Sequence, residues 1–338
     1  MSKIERRTRC WACSGLDVQG WGKRNGHQRF RCNNCGIYFT SENKGVTKSN
    51  EQVWFRKWVI ERQTLPLLSR DSGLSVRTLQ RKFYERLKDY PRWHIPKCRV
   101  VHLVIDGTYF ANNICLFIYR ENDIQETLLY RTTTGEYAKE IYEDLINIMQ
   151  VGIIIESVTC DGHKSAISAI KRCNKWIDKQ NKANKTEVQH IVIQRCLVHI
   201  QRNCLGYIKK DHQSTAGRRL RSIAMTLCKI DTVEKQRLFF DAFQFWFEDN
   251  EEYIMQMSTG ESGRKWRTHK DLYSAYRLII NALPNMFHYL ENYLIPPTTN
   301  CIEAYFSHLK QTILFHRGLS HNHFRNFVRW YVYFRNNP

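Results

Sequence analysis

The sequence contains few acidic residues for its size and no long hydrophobic run. Its 338 residues include 32 Asp and Glu against 52 Lys and Arg, a formal net charge of +20. No apolar stretch approaches the ~18 residues that a membrane-spanning helix needs, so we expect no membrane partner. The N-terminus is polar and basic with no apolar segment behind it, which is unlike a secretory signal. These absences together predict a cytoplasmic protein.

The excess positive charge lies mostly near the N-terminus. Residues 1–97 carry 21 Lys and Arg against 8 Asp and Glu, a net charge of +13. A compact basic region of this kind is typical of a module that binds a polyanion. A moderately basic, solvated surface is the alternative. We expect nucleic acid as the partner, and therefore a protein associated with the nucleoid.

Four of the twelve cysteines form two Cys-x2-Cys pairs. Cys10 pairs with Cys13 and Cys32 with Cys35, all in residues 1–45, a segment with few aliphatic residues. Two such pairs predict a zinc ribbon, in which one structural Zn²⁺ bound by four thiolates supplies the folding free energy. Coincidental cysteine pairs are the alternative. The other eight cysteines form no disulfide framework, which favours a reducing compartment.

Residues 46–97 are predicted to be a helix-turn-helix region followed by a linker. One helix ends at Gly73, and Ser75 caps the next. Leu79 and Phe83 share one face of this second helix, and its polar residues are candidate DNA contacts in a major groove. These candidates are Arg77, Gln80, Arg81 and Lys82. An ordinary helical hairpin with a solvated basic face is the alternative.

From about residue 98 onward, the hydrophobic pattern indicates strands. Five are predicted, at Val100–Tyr109, Asn113–Tyr119, Glu126–Thr133, Ile153–Cys160 and Val188–Gln194. Helices predicted at Glu136–Gln150 and His163–Asn174 separate the last three strands. The order βββαβαβ predicts an α/β layer architecture. Residues 205–290 hold no strand signal, so we expect an all-α insertion there.

Two aspartates follow apolar runs, and each precedes a glycine. They are Asp106 and Asp161, separated by 54 residues that hold two predicted strands and a helix. An Asp-Gly turn explains either residue alone. A buried unpaired carboxylate is costly, and repetition of the pattern weakens the turn interpretation. Binding of a divalent cation would offset the burial of both, so we treat them as candidate metal ligands.

A third acidic residue, Glu303, lies near the start of a predicted helix at Asn300–Phe315. Asn300-x-x-Glu303 matches a capping box, and an acid in the first turn suits the helix dipole. Capping and metal binding are compatible for Glu303. Lys310, seven residues on, shares its helix face and is a candidate phosphate contact.

A further polar element, Gln194–Asn203, follows the fifth predicted strand. It contains Cys196 and His199, but two ligands do not make a zinc site. His199 beside a scissile phosphate, as a proton shuttle or oxyanion donor, is one interpretation. A core cysteine and a histidine at a helix start form the alternative, which the chemistry alone favours.

Taken together, these motifs resemble the Mutator-type bacterial insertion-sequence transposases. The resemblance covers roughly residues 98–315 and depends on motifs whose order and spacing are specific in combination. They are Asp106-Gly107, Asp161-Gly162, Gln194-Arg195-Cys196-x2-His199-x2-Arg202-Asn203 and Asn300-x-Ile302-Glu303. The resemblance implies a ribonuclease H-like core over residues 98–338 with a helical insertion at about 205–290. The N-terminal ribbon and helix-turn-helix resemble a zinc-binding variant of that family.

The resemblance also implies the roles of the site residues. Asp106, Asp161 and Glu303 would be a DDE triad that binds two Mg²⁺ or Mn²⁺, and His199 would act beside it. Cys196, Arg202 and Asn203 would belong to the same active-site element. The implied activity is metal-dependent cleavage of DNA and strand transfer.

The implied substrates are the terminal inverted repeats of an insertion sequence and its target DNA, brought together by a homo-oligomer. Arg264, Lys265 and Trp266 form a basic segment whose Trp ring would stack on an unpaired base. A packed core Trp is the alternative there. Two other functions remain open for the whole chain, a ribonuclease H-like nuclease or resolvase and a non-enzymatic DNA-binding regulator.

Overall fold

A computed structural model describes residues 10, 13, 15–24, 27–40, 48–93, 100–111, 113–316 and 318–337 of the chain. The chain divides into two compact units, between Phe83 and Tyr84. The domain boundaries predicted at 45/46 and 97/98 both fall outside the described residues. None of the described helices is both long and apolar enough to cross a membrane.

The first unit begins with a small antiparallel sheet. Its strands are β1 (Val18–Arg24), β2 (His27–Cys32) and β3 (Tyr38–Thr40), in the order β1-β2-β3. Only a few residues are buried between them, namely Cys10, Val18, Cys32 and Phe39. A core this small cannot offset the conformational entropy lost on folding. The sheet therefore depends on another source of stability, which its cysteines can provide.

Three helices complete the first unit. They are α1 (Lys48–Ile60), α2 (Leu65–Ser72) and α3 (Val76–Arg86). Gly73 ends α2 in the left-handed conformation, with φ at 73°, and the Ser75 hydroxyl accepts a hydrogen bond from the Thr78 N–H at the start of α3. Leu79 and Phe83 are buried. The predicted helix limits and the inward face of the second helix are confirmed.

A mixed five-stranded sheet forms the centre of the second unit. Its strands are β4 (Val100–Phe110), β5 (Ile114–Glu121), β6 (Thr127–Thr133), β7 (Ile154–Cys160) and β8 (Val192–Arg195). The order is β6-β5-β4-β7-β8, with β5 antiparallel to both neighbours and β4, β7 and β8 parallel. The carboxyl ends of β4, β6, β7 and β8 therefore meet at one edge of the sheet.

Two helices, α4 (Ala138–Gln150) and α5 (Lys164–Asn184), pack on this sheet. Their apolar residues recur at helical spacing and lie against strand residues such as Leu103 and Val158. Burial of each aliphatic side chain contributes about 1.5–3 kcal/mol. The α/β architecture is as predicted, although α5 continues ten residues beyond its predicted end at Asn174.

The insertion between β8 and the C-terminal helices is mostly helical. It contains α6 (Leu197–Tyr207), α7 (Thr215–Ala224), α8 (Val233–Met255) and α9 (Lys270–Ala282). The expectation of an all-α insertion is wrong in one place, because β9 (Met257–Thr259) and β10 (Lys265–Arg267) form an antiparallel hairpin. Each of these strands has three residues, too few for an alternating hydrophobic pattern to appear in the sequence.

Two C-terminal helices, α10 (Asn300–Leu314) and α11 (His321–Asn336), close the second unit. At the end of α11, the Asn336 side chain accepts from the Thr127 N–H and donates to the Thr127 carbonyl, at 3.0 and 2.7 Å. This amide satisfies the backbone of β6, which is an edge strand of the sheet. Trp93 also lies against β6, since its indole N–H donates to the Leu128 carbonyl.

Candidate active site and zinc centre

Asp106 and Asp161 lie level with each other at the carboxyl edge of the sheet. The last parallel pair between β4 and β7 is Val104 with Thr159, and each aspartate lies two residues beyond its member of that pair. Such an edge is where open α/β sheets bind ligands. Parallel pairing thus brings together the two aspartates that the sequence singled out.

The turn interpretation holds for one aspartate only. Asp161 and Gly162 leave β7 in a turn, with Gly162 at φ +87° and the Asp161 carboxylate accepting from the His163 N–H. Asp106, by contrast, does not end its strand. β4 continues through Phe110 because it pairs with β5, so the Asp-Gly turn is wrong there.

A third carboxylate near this edge was missed from the sequence. Glu136 follows β6 and precedes α4, and its Oε1 lies only 2.7 Å from the position a Cβ would take on Gly107. The missing side chain at Gly107 therefore makes room for Glu136 beside the neighbouring Asp106. The signal that could have found Glu136 is topological, since β6 runs parallel to β4 and ends at the same edge.

The electrostatic environment opposes ionisation of Asp106. Burial, followed by the charges of Asp161 and Glu136, raises the pKa of Asp106 from 3.8 to about 7 in total. The Gly107 N–H and His199 act in the opposite direction. Burial, followed by the charge of Asp161, likewise raises the pKa of Glu136. The site thus has more buried negative charge than its own side chains neutralise.

Glu303 is placed by the segment that leads into α10. The Thr159 hydroxyl of β7 donates to the Pro296 carbonyl at 2.7 Å, and the Leu197 N–H donates to the Pro297 carbonyl at 3.0 Å. These bonds attach the start of α10 to the sheet and to α6. Thr299 rather than Asn300 occupies the N-cap position of the helix, and its side chain makes no capping hydrogen bond, so the predicted capping box is wrong.

The Glu303 carboxylate instead faces two cations on α6. Its Oε1 lies 3.4 Å from His199 Nε2, and its Oε2 accepts from Arg202 at 3.2 Å. Oε1 is buried and accepts no hydrogen bond, so its contact with His199 is an ion pair alone. Asn203 and Lys310 are exposed on α6 and α10.

Thr299 connects His199 to Cys196. Its N–H and its hydroxyl both donate to Cys196 Sγ, at 3.3 and 3.4 Å. Because the hydroxyl proton is directed at sulfur, its oxygen accepts from His199 Nδ1, 3.3 Å away. With Nδ1 protonated and Nε2 facing a carboxylate, the favoured state of His199 is the imidazolium.

The pKa shifts agree with this assignment. Hydrogen bonding to Cys196 raises the pKa of His199 despite burial, and Asp106 and Glu303 raise it further. Burial raises the pKa of Cys196, but hydrogen bonds from His199 and Thr299 outweigh it and leave that pKa lowered. Cys196 is buried, and His199 lies in the first turn of α6. The alternative prediction, a core cysteine and a histidine at a helix start, therefore describes their positions correctly.

These donors suit a divalent cation in chemical type, although they do not form a ready-made cage. Buried carboxylate oxygens are the ligands that Mg²⁺ and Mn²⁺ prefer, and Oε1 of Glu303 lacks a hydrogen-bond donor. As they stand, the ligand atoms of Asp106, Asp161 and Glu303 do not form a cluster compact enough to hold an ion. Among the described residues, only the four N-terminal cysteines form a group that compact.

The four cysteines match a tetrahedral zinc site. The Sγ atoms of Cys10, Cys13, Cys32 and Cys35 all lie within 4.8 Å of one another, with pairs at 3.5 and 3.6 Å. Tetrahedral zinc with Zn–S bonds of about 2.3 Å requires sulfurs about 3.8 Å apart. The Gly15 N–H lowers the pKa of Cys13, yet hydrogen bonds with Cys32 and Cys35 raise it to about 12. The cluster can hold one zinc ion.

The candidate DNA contacts differ in their surroundings. Arg77, Gln80 and Arg81 are exposed on α3, whereas Lys82 faces α1 and its Nζ lies 2.6 Å from Glu51. In the hairpin of the insertion, Arg264 and Lys265 are exposed. Trp266 is 48% exposed, so the interpretation as a packed core residue is wrong.

Comparison of the sequence with protein-family models finds no match, and comparison with curated proteins finds none either.

We predict that Asp106→Asn stabilises the cation-free protein above neutral pH. The folded-state pKa of about 7 lies above the ordinary pKa of 3.8, so the stability that protonated Asp106 contributes is lost as pH rises between these values. The gain at pH 8 should approach about 4 kcal/mol at most and shrink by pH 5. Urea unfolding in zinc-containing buffer without magnesium measures it. Glu187→Gln, at an exposed acid, is the control; equal shifts in both variants would contradict the prediction.

The zinc assignment predicts one zinc ion per chain after purification under reducing conditions. Cys13→Ser should lower the zinc content and expose residues 10–40 to proteolysis, because metal binding and folding of the ribbon are coupled. Elemental analysis and mass spectrometry of proteolytic fragments measure the two effects. Cys228→Ser, an exposed cysteine outside the cluster, should change neither. A folded ribbon without metal would show that the site is not structural zinc.

Proposed function

We propose that this chain is a metal-dependent DNA transposase of the Mutator type, with a ribonuclease H-like catalytic core. The observation that carries the proposal is the convergence of three separate chain segments. β4 and β7 bring Asp106 level with Asp161. Glu303 comes from α10, and His199 interacts with the charges of both Asp106 and Glu303. Such a set suits cleavage and joining of phosphodiesters.

The architecture of the second unit is compatible with this proposal. Three antiparallel-connected strands, β4, β5 and β6, precede two parallel strands that follow helices, and the candidate acids lie at the carboxyl edge. The helical insertion lies between β8 and α10, in agreement with the position that the resemblance to the Mutator-type family implies. Function on such a fold depends on its site and not on its architecture, so the carboxylates carry the greater weight.

In the proposed reaction, the carboxylates of Asp106, Asp161 and Glu303 would hold two Mg²⁺ or Mn²⁺ ions. Bound ions of this kind supply an activated water and stabilise charge on the phosphoryl oxygens. Asp106 would lose its proton on binding them, because it is held partly protonated near neutral pH. Glu303 would turn from His199 and Arg202 toward the sheet edge.

His199 and Arg202 would then face the phosphodiester. Thr299 orients the imidazole through Nδ1, which leaves the Nε2 proton available to the leaving 3′-oxygen or to a phosphoryl oxygen. Arg202, which is exposed on α6, offers a guanidinium fork for a phosphate. Arg195 stabilises the backbone of Asp161, since its Nη2 donates to the Asp161 carbonyl at 3.2 Å.

Basic residues beside Asp161 support a polyanionic substrate. Lys164, Lys171 and Lys175 line one side of α5, which begins just after Asp161 and Gly162, and they border a cleft of about 410 Å³. This spacing places them on one helix face. A DNA strand running along α5 would enter the carboxylate edge directly.

The remaining parts of the proposal concern DNA ends. The zinc ribbon and α3 would bind the terminal inverted repeats, with exposed Arg77, Gln80 and Arg81 toward the major groove. Joining two ends to a target requires both ends in one complex, so we propose a homo-oligomer on DNA. The net charge of +20 favours association with the nucleoid.

The test is DNA cleavage and strand transfer by the full chain with Mg²⁺. Labelled DNA from both flanks of its gene serves as the substrate. We expect Asp161→Asn and Glu303→Gln to reduce both steps by at least about 1000-fold, since each removes a ligand needed only for chemistry, while DNA binding persists. Glu187→Gln is the matched control.

Two results would replace the proposal. Cleavage of branched DNA of any sequence, without joining, would indicate a resolvase. Sequence-specific binding with no cleavage by the wild-type chain would indicate a regulator. Unchanged cutting and joining by the variants would contradict the triad.

A further inference from the structure

A cationic cleft in the second unit lies outside the candidate active site. Its volume is about 250 Å³, and we call it the α11 cleft. It is lined by Lys88, Tyr90, Asn322, Arg325, Asn326 and Arg329. These residues come from α11 and from the segment that follows α3 in the chain. The lining includes three cations and no acidic residue.

The two arginines of the α11 cleft have only neutral partners. Nη2 of Arg325 and Nη2 of Arg329 both donate to the Thr132 hydroxyl, at 3.5 and 3.4 Å. Among the residues that the structure describes, no carboxylate lies within 4.0 Å of either guanidinium. Both side chains are half-buried. Two neighbouring cations with reduced hydration and no counter-charge favour the binding of an anion.

Arg329 is held in a defined orientation. Its guanidinium lies over the Tyr90 ring, 4.3 Å from the centroid, and its Nη1 donates to Asn326 Oδ1 at 3.3 Å. Asn326 is only 9% exposed, and its Nδ2 donates to the carbonyls of Leu87 and Lys88. These two donations fix the amide so that its oxygen faces Arg329. The arginine is therefore preorganised, which lowers the entropic cost of binding.

We infer that the α11 cleft binds the phosphodiester backbone of DNA, with Arg325 and Arg329 contacting a phosphate group. Arginines four residues apart on a helix lie side by side, and guanidinium forks match phosphate oxygens. Lys88 adds charge at the rim, although Glu85 partly neutralises it at 2.7 Å. Tyr90, which is 61% exposed, makes the cleft larger than the binding of a free anion requires. This inference rests on the proposed function, because it takes DNA as the ligand.

The experiment measures binding without cleavage. Fluorescence anisotropy of a labelled duplex is followed for the zinc-loaded full chain in Ca²⁺ instead of Mg²⁺, at several salt concentrations. The double variant Arg325→Gln/Arg329→Gln is compared with Arg237→Gln/Arg277→Gln, which removes the same charge from exposed positions of α8 and α9. Each lost phosphate contact should lower the slope of log K against log salt by about 0.9.

We expect the double variant, which loses the contact with one phosphate group, to lose about 0.9 of that slope and on the order of 10-fold in affinity at 0.15 M salt. The control variant should stay within about twofold of wild type. Arg329→Lys, which keeps the charge and disturbs the fold less, should retain the slope while binding more weakly. Equal slopes and affinities for the double variant and its control would overturn the inference.

A second arm separates DNA from a free anion. Inorganic phosphate at 10 mM should leave the melting temperature unchanged, whereas a short duplex should raise it in wild type and less in the double variant. Stabilisation by phosphate alone, equal to that by the duplex, would assign the cleft to a small anion and overturn the DNA assignment. Failure of the triad variants to affect cleavage would leave these binding results intact, so the two proposals fail separately.

Discussion

Parallel pairing of β4 with β7 is the interaction on which the candidate site depends. It sets Asp106 and Asp161 at the same height, because both lie two residues past the pair of Val104 and Thr159. A shift of one residue in this register would turn one carboxylate to the opposite face of the sheet. The apolar residues on both faces of these strands fix the register, so packing of the core and placement of the acids have one cause.

That placement carries a cost, which is visible in the electrostatics. Asp106 lies partly buried beside Asp161 and Glu136, and its raised pKa reflects how poorly these surroundings tolerate the charge. Glu303 avoids the same penalty by facing His199 and Arg202. A site built only for stability would pair or remove these acids. Strain of this kind is common where a fold keeps groups ready for a ligand, and it gives the carboxylates more weight than their motifs alone.

The sequence predicted the features that long patterns encode. Stretches rich in apolar β-branched residues placed β4 and β7, and the i, i+4 pair Leu79 and Phe83 placed the inner face of α3. Glu136 was missed because an acid between a strand and a helix has no pattern of its own. The β9–β10 hairpin was also missed, since each of its strands has only three residues. Such features arise from tertiary contacts, which override local signals.

Asp161 and Glu303 lie far apart in sequence. Hydrogen bonds to backbone carbonyls attach the segment before Glu303 to the sheet and to α6. Thr159 and Leu197 bind the carbonyls of Pro296 and Pro297, and prolines restrict the backbone that these donors recognise. Thr299, at the N-cap position of α10, then links that helix to Cys196 and His199 of α6. The helix that carries Glu303 is therefore attached both to the sheet, through Thr159, and to α6 of the insertion, through Leu197 and Thr299. The Cys-x2-His element thus connects the start of the helix that carries Glu303 to α6, which follows β8 directly.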